Sequence, residues 1–123
     1  MKILLVDDSA KVRELTKSLL QGLQAEFVEC ADGREALAVY QDHRPDWVLM
    51  DLQMPETDGL AATRQIIGMF PMARVLIVTQ FDGQHLRTAA RRAGACGYLL
   101  KENLYQAREL IAAETGLGHA ACK

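Results

Sequence analysis

Five short apolar runs punctuate this chain, and the residues after each one repeat with a helical period. Ile3-Leu4-Leu5-Val6 is stopped by Asp7-Asp8. Val12, Leu15, Leu19, Leu20 and Leu23 then recur in three- and four-residue steps, which predicts an amphipathic helix capped by Ser9. Ala25–Cys30 reads as a second strand, closed by a turn at Asp32-Gly33, and a helix follows with Ala36, Leu37 and Tyr40 inward, ending before Pro45. Trp47-Val48-Leu49-Met50 is a third strand. Pro55 breaks the chain, and Leu60, Thr63, Ile66, Ile67 and Phe70 mark a helix closed by Pro71. Arg74–Val78 is a fourth strand, and Leu86, Ala89, Ala90 and Ala93 give a helix that stops at Gly94. Cys96–Leu100 is a fifth strand, and Leu104, Ala107, Leu110 and Ile111 stripe the last helix.

Five strand–helix units in 123 residues amount to one domain. The strands are almost continuously apolar, which suits a parallel sheet covered on both faces. Right-handed crossovers then give an α/β fold, a flavodoxin-like doubly wound (βα)5 with a five-stranded parallel sheet in the order 2-1-3-4-5 and helices on both faces. The domain is expected over residues 1–115. Residues 116–123, with Gly116-Leu117-Gly118-His119, are left as a C-terminal tail or linker stub, and His119 is too isolated to be a phosphodonor or a metal ligand.

Half of the chain is hydrophobic and 24% is charged, enough for an ordinary core and against disorder. No apolar run approaches the roughly 20 residues of a membrane span, and Asp7-Asp8 interrupts the first run too early for a secretory signal. A soluble, cytoplasmic protein is expected, with no membrane contact. Cys30, Cys96 and Cys122 have neither metal-ligand nor CxxC spacing and read as free thiols. The net charge of −2 hides an asymmetry: residues 1–60 carry 6 basic and 12 acidic side chains, residues 61–123 carry 8 and 4. Near neutrality argues against direct nucleic-acid binding by this chain.

In a sheet of this kind ligands bind beyond the carboxyl ends of the strands, where the strand order reverses. Strand one ends there in Asp7-Asp8, strand three in Asp51, strand four in Thr79 and strand five in Lys101. Carboxylates that close repel one another unless a cation sits among them. Oxygen ligands without His or Cys favour a hard ion, Mg²⁺ or Mn²⁺. A lysine and a hydroxyl opposite suit an anionic second ligand, and the whole set fits phosphoryl transfer to a carboxylate nucleophile.

These residues carry a resemblance. Ile3-Leu4-Leu5-Val6-Asp7-Asp8, Met50-Asp51-Leu52-Gln53-Met54-Pro55-Glu56-Thr57-Asp58-Gly59, Val78-Thr79 and Gly94-Ala95-Cys96-Gly97-Tyr98-Leu99-Leu100-Lys101 resemble, in order and spacing, the receiver domain of two-component response regulators. The likeness runs from residue 2 to about 114 and looks most like receivers that precede helix-turn-helix DNA-binding domains. It implies a signalling switch in which Asp51 accepts a phosphoryl group from a phosphohistidine on a sensor histidine kinase or phosphotransfer protein. It implies Mg²⁺ (Mn²⁺ possible) held by Asp8 and Asp51, by Asp7 through a water, and by the backbone carbonyl of Gln53. Thr79 and Lys101 would contact phosphoryl oxygens. Thr79 would shift on phosphorylation and let Tyr98 turn inward, reshaping the face of helix four, strand five and helix five for a downstream protein, an output domain or a second copy of the chain. Such a protein promotes its own phosphorylation and dephosphorylation and is not a turnover enzyme.

Each residue also has a plainer reading. Asp7-Asp8 could be the acidic first turn of a helix, Asp51 a strand-end acid, Lys101 a solvated lysine and Thr79 a good strand former. Asp58 before Gly59 reads as a helix cap, Met54-Pro55 as a loop-shaping pair, and Arg87, Arg91 and Arg92 as a solvated basic face or a docking surface. Gln80 is bulky next to Thr79 and is expected to slow phosphoryl exchange, with Gln53 and Phe81 also placed to tune attacking water. Three further readings stand beside the switch: an aspartyl-phosphate phosphatase, a flavin mononucleotide carrier, and a degenerate receiver that docks partners without phosphorylation. The first lacks an acid at position 53, and the second would need a phosphate cradle where Asp7-Asp8-Ser9 stands.

Overall fold

The computed structural model describes residues 1–54 and 58–116. Five strands form one parallel sheet in the order β2-β1-β3-β4-β5: β1 (Lys2–Val6), β2 (Glu26–Cys30), β3 (Trp47–Asp51), β4 (Val75–Thr79) and β5 (Gly97–Leu100). The helices are α1 (Ala10–Leu19), α2 (Ala36–His43), α3 (Gly59–Met69), α4 (Gln84–Ala93) and α5 (Ala107–Gly116). The doubly wound order read from the alternation of patterns is the order observed.

Period-two alternation divides the core. Leu4, Val6, Val48, Met50, Val75 and Ile77 face one way and pack with Ala36, Tyr40, Ala62, Ile66 and Ala90 of α2, α3 and α4. Ile3, Leu5, Trp47, Leu49, Leu76 and Val78 face the other way, against Leu20, Leu104, Ala107 and Ile111. Both faces of β1, β3 and β4 are therefore dry, which is why those strands carry no alternating polar residues. Among the described residues no helix is long and apolar enough to cross a membrane.

The helix ends follow side-chain chemistry. The Ser9 hydroxyl accepts from the Val12 amide, and Asp58 accepts from the Leu60 amide at 2.8 Å, as their positions before the helical patterns predict. Gly94 closes α4 at φ +102°, a conformation other residues rarely adopt. Cys30 is buried and Cys96 half-buried, while Cys122 lies outside the described residues.

Three expectations are corrected. The first helix stops at Leu19, with a 3-10 turn over Gln21–Leu23, and Leu15 is 52% exposed; Thr16 is buried in the inward row instead. Thr16 fits there because its hydroxyl donates to the Val12 carbonyl at 2.7 Å, so no polar group is stranded. The last segment opens as 3-10 turns over Lys101–Gln106, and α5 begins only at Ala107. Strands three and four each run one residue further, to Asp51 and Thr79, so both polar residues sit within the sheet ladder.

Gly59 joins fold to site. A Cβ there would lie 2.2 Å from the Asp51 carbonyl oxygen and 2.9 Å from Leu52 Cα, so only glycine lets α3 start against the end of β3. Gly68, near the end of the same helix, faces open space. We predict opposite outcomes in denaturant unfolding. Gly59→Ala loses about 2–4 kcal/mol because backbone must move, whereas Gly68→Ala gains about 0.5–1 kcal/mol from helix propensity.

Candidate functional site

Asp7 and Asp51 sit at the carboxyl ends of the adjacent central strands β1 and β3, with Asp8 one residue further on. Each of the three offers a carboxylate oxygen within 4.8 Å of the other two. Asp51 is 2% exposed and Asp7 6%, while Asp8 reaches solvent. The acids do not act as the first turn of α1: Ser9 caps it and its first turn carries no acid. Asp7 turns back, and its carboxylate accepts from the Ser9 amide at 2.8 Å.

Lys101 enters from the end of β5. Its ammonium lies 3.2 Å from Asp7 Oδ2 and 3.4 Å from Asp51 Oδ1. Asp51 Oδ1 also accepts from the Gln53 amide at 3.3 Å, so one carboxylate oxygen is doubly engaged. The other, Oδ2, is buried and has no hydrogen-bond partner. A buried ionised oxygen without a donor is costly, and such a group marks a place where something else binds. An all-oxygen donor set with one uncommitted buried oxygen fits a hard divalent cation.

The electrostatics are uneven. Burial pushes the Asp51 carboxyl above the ordinary carboxylate range and the Asp7 charge adds to it; Lys101 and the Gln53 amide only partly oppose them. Burial draws Lys101 down, but Asp51 and Asp7 together lift it above the ordinary lysine value. Two acids thus share one ammonium, which holds its proton tightly, while Asp51 is under-compensated.

Thr79 ends β4 fully buried, and its Oγ1 accepts from the Phe81 amide at 3.3 Å. The Phe81 carbonyl accepts from the Tyr98 hydroxyl at 2.7 Å, and the Arg87 guanidinium lies 4.6 Å from the centre of the Tyr98 ring. Arg87 also pairs with Asp82 at 2.9 Å. Gln80 and Phe81 are exposed, as is Gln53, which bridges to Asp58 across the loop after β3. Pro55, and with it half of the Met54-Pro55 pair, lies outside the described residues, as does His119.

Two residues escaped the sequence reading. Arg13 donates from α1 to the Asp7 carbonyl and pairs with Glu29 at 2.8 Å, tying helix, β1 and β2 together beneath the acids. Arg87 looked like one member of a solvated cluster, yet it is the residue that clamps Tyr98. A step of four residues from Ser9 to Arg13 was the available signal for the first; nothing local signals the second.

Comparison with known proteins agrees with this geometry. The family model for the response regulator receiver domain matches residues 3–113. The transcriptional regulatory protein DegU of Brevibacillus brevis is 36% identical over 105 residues, covering 83% of this chain and 44% of DegU. The oxygen regulatory protein NreC of Staphylococcus aureus is 40% identical over 104 residues, covering 82% of this chain and 48% of NreC. A LuxR-family response regulator from Aurantimonas superposes with a TM-score of 0.82 at 39% identity, over 91% of this chain and 84% of that one. The BeF3-activated receiver domain of RstA from Klebsiella pneumoniae gives 0.81 at 26%, over 95% and 97%. A parallel 2-1-3-4-5 sheet with an acidic cluster at its switch point defines a receiver, and this chain belongs to the response regulator receiver domain family. It spans about half the length of the curated relatives it matches.

The raised Asp51 value has a consequence for stability. The folded state holds that proton more tightly than the unfolded chain, so Asp51 costs stability as pH rises from the ordinary carboxylate range through its raised value. Thermal unfolding from pH 4 to 8 without divalent cations should show Asp51→Asn gaining on the wild type as pH rises. At pH 7 the variant should be more stable by on the order of 1 kcal/mol. Wild type equal or superior across the range would contradict this account of the charges.

Proposed function

We propose that the chain is a phosphoacceptor switch in which Asp51 takes a phosphoryl group from a phosphohistidine of a sensor kinase or phosphotransfer protein. The carrying observation is Asp51 itself: buried, raised in basicity, with one carboxylate oxygen uncommitted beside Lys101 and two further acids. The carboxylate oxygen attacks phosphorus, the new P–O bond forms as the P–N bond breaks, and the imidazole nitrogen takes the departing electron pair. Asp7, Asp8, Asp51 and the Gln53 carbonyl are the residues that would hold Mg²⁺, with Mn²⁺ as a substitute. Bound there, the ion neutralises carboxylate repulsion and the charge that develops on phosphoryl oxygens. Lys101 already lies against Asp51 Oδ1 and offers its ammonium to a phosphoryl oxygen. Thr79 offers its hydroxyl from β4.

The added charge, about −1.5 to −2 at neutral pH, would then bias the loop after β4 and the α4–β5–α5 face through Thr79, Phe81 and Tyr98. That face is the proposed contact for an output domain, a downstream protein or a second copy of the chain. The chain acts as a substrate that promotes its own phosphorylation and hydrolysis, in the cytoplasm, with no DNA contact of its own.

Intact mass after incubation with acetyl phosphate tests the reading. We expect one added phosphoryl group with Mg²⁺, none after chelation and none in Asp51→Asn. An unmodified wild type would overturn phosphorylation and leave a docking module. Gln80 is exposed beside Thr79, and we propose that it crowds the line of approach of water to the acyl phosphate. Gln80→Ala should shorten the lifetime of the phosphorylated form by about tenfold or less; an unchanged decay rate would remove Gln80 from the account.

A further inference from the structure

The charge asymmetry of the sequence has a second structural outcome, away from the acids. From Gly59 to Lys101 the single acidic residue is Asp82, and Arg87 already pairs with it. The same stretch carries Arg64, Arg74, Arg87, Arg91, Arg92 and Lys101. Arg74 lies over the Trp47 ring, Arg87 is held by Asp82 and Tyr98, and Lys101 belongs to the acidic site. That leaves Arg64 on α3 and Arg91 and Arg92 on α4 exposed, with no carboxylate paired to any of them among the described residues. Arg13 and Arg34, by contrast, pair with Glu29 and Asp32.

Arg64 and Arg92 line opposite walls of a groove of about 570 Å³ between α3 and α4, together with Gln84, His85, Thr88 and Ala89. Gln84, His85, Thr88 and Arg92 form a row along α4, with Gln84 donating to the Thr88 hydroxyl at 3.3 Å. Eight residues of α-helix span roughly 12 Å, the length of three or four residues of extended chain. A compact anion such as free phosphate would need donors converging on one point; these are strung along a line. Duplex nucleic acid would need a broader basic footprint than three arginines.

We propose that the α3–α4 groove docks an extended acidic segment of a partner protein, its carboxylates paired with Arg64 and Arg92 and its backbone along the Gln84–Thr88 row. Among the described residues no carboxylate lines the groove, so an acidic segment meets complementary charge at Arg64 and Arg92. None of the residues lining the groove belongs to the acidic site around Asp51.

The test uses the full chain and a fluorescein-labelled hexaglutamate peptide, read by fluorescence anisotropy at low salt and by amide chemical shifts. Arg64→Glu and Arg92→Glu should each weaken binding about fivefold, and added salt should weaken it further. Both side chains are exposed, and unchanged circular dichroism verifies that the variants fold. Lys11→Glu, an equal charge change on exposed α1, should leave affinity within twofold, and the shifted amides should fall in α3 and α4. No binding, equal loss in Lys11→Glu, or shifts centred elsewhere would overturn the proposal. Displacement by inorganic phosphate or by a short DNA duplex at concentrations no higher than the peptide's would overturn it in favour of a phosphate site.

Discussion

The structure is organised around a repulsion it does not relieve. Asp7 and Asp51 end neighbouring strands, both nearly out of solvent, and a single ammonium lies between them. At an effective dielectric near 20, two carboxylates under 5 Å apart oppose each other by about 3–4 kcal/mol. Burial raises the Asp51 carboxyl first and the Asp7 charge adds to it, with Lys101 and the Gln53 amide opposing both only in part. The acids are held there by what lies behind them: Leu4, Val6, Val48 and Met50 on one face and Ile3, Leu5, Trp47 and Leu49 on the other, all at most 5% exposed. At roughly 1.5–3 kcal/mol for each fully buried large apolar side chain, that burial far exceeds the repulsion it tolerates. A site assembled this way is receptive to positive charge and to chemistry that neutralises a carboxylate.

Strand order turns this local imbalance into a site. β1 and β3 are adjacent although separated in sequence by a whole strand–helix unit, because β2 goes to the edge. That reversal leaves the space above β1 and β3 uncovered by a connecting loop. Lys101 reaches it from β5, two strands away from β3, and a long flexible side chain is what that span requires. Gly59 brings the start of α3 down onto the Asp51 backbone, so the loop bearing Gln53 is held against Asp51. Arg13 performs the matching task under Asp7.

Much of this was legible in the residues because it follows from one-dimensional rules. Short continuous apolar runs announce strands buried on both faces, and the first polar residue after each run falls at the carboxyl end of the sheet; that places Asp7, Asp51, Thr79 and Lys101 together. What stayed hidden depends on three dimensions. Leu15 fits the helical period as well as Thr16 does, and only the rotation at which α1 rests on its neighbours decides which faces inward. The 3-10 start of the last segment arises because Leu104 must reach the core directly after Lys101 reaches the site, a geometry no periodicity encodes. The basic residues of α4 look alike in sequence, yet Arg87 faces β5 and Arg92 faces α3. The acidic half of the chain supplies the carboxylates of the site and the basic half supplies Lys101 and the exposed arginines of α3 and α4, a division that net charge conceals.

The same residues suggest how a small chemical event at Asp51 could become a change of surface. Phe81 is held at both ends of its peptide units: its amide donates to Thr79 at 3.3 Å, and its carbonyl accepts from Tyr98 at 2.7 Å. If the Thr79 hydroxyl moves toward a phosphoryl oxygen, the first bond, already long, lengthens further. The Phe81 peptide is then held only by Tyr98, whose ring carries Arg87 and, through it, Asp82. Each of these bonds contributes about 0.5–1.5 kcal/mol net, so the two loop arrangements need differ by only that much. Couplings of about 1–3 kcal/mol are ordinary between linked sites. In the proposed switch, the Phe81 peptide, held between a fully buried threonine and a half-buried tyrosine, would serve as the transmission element. It needs no rearrangement of the sheet, whose burial is too large for so small a signal to disturb.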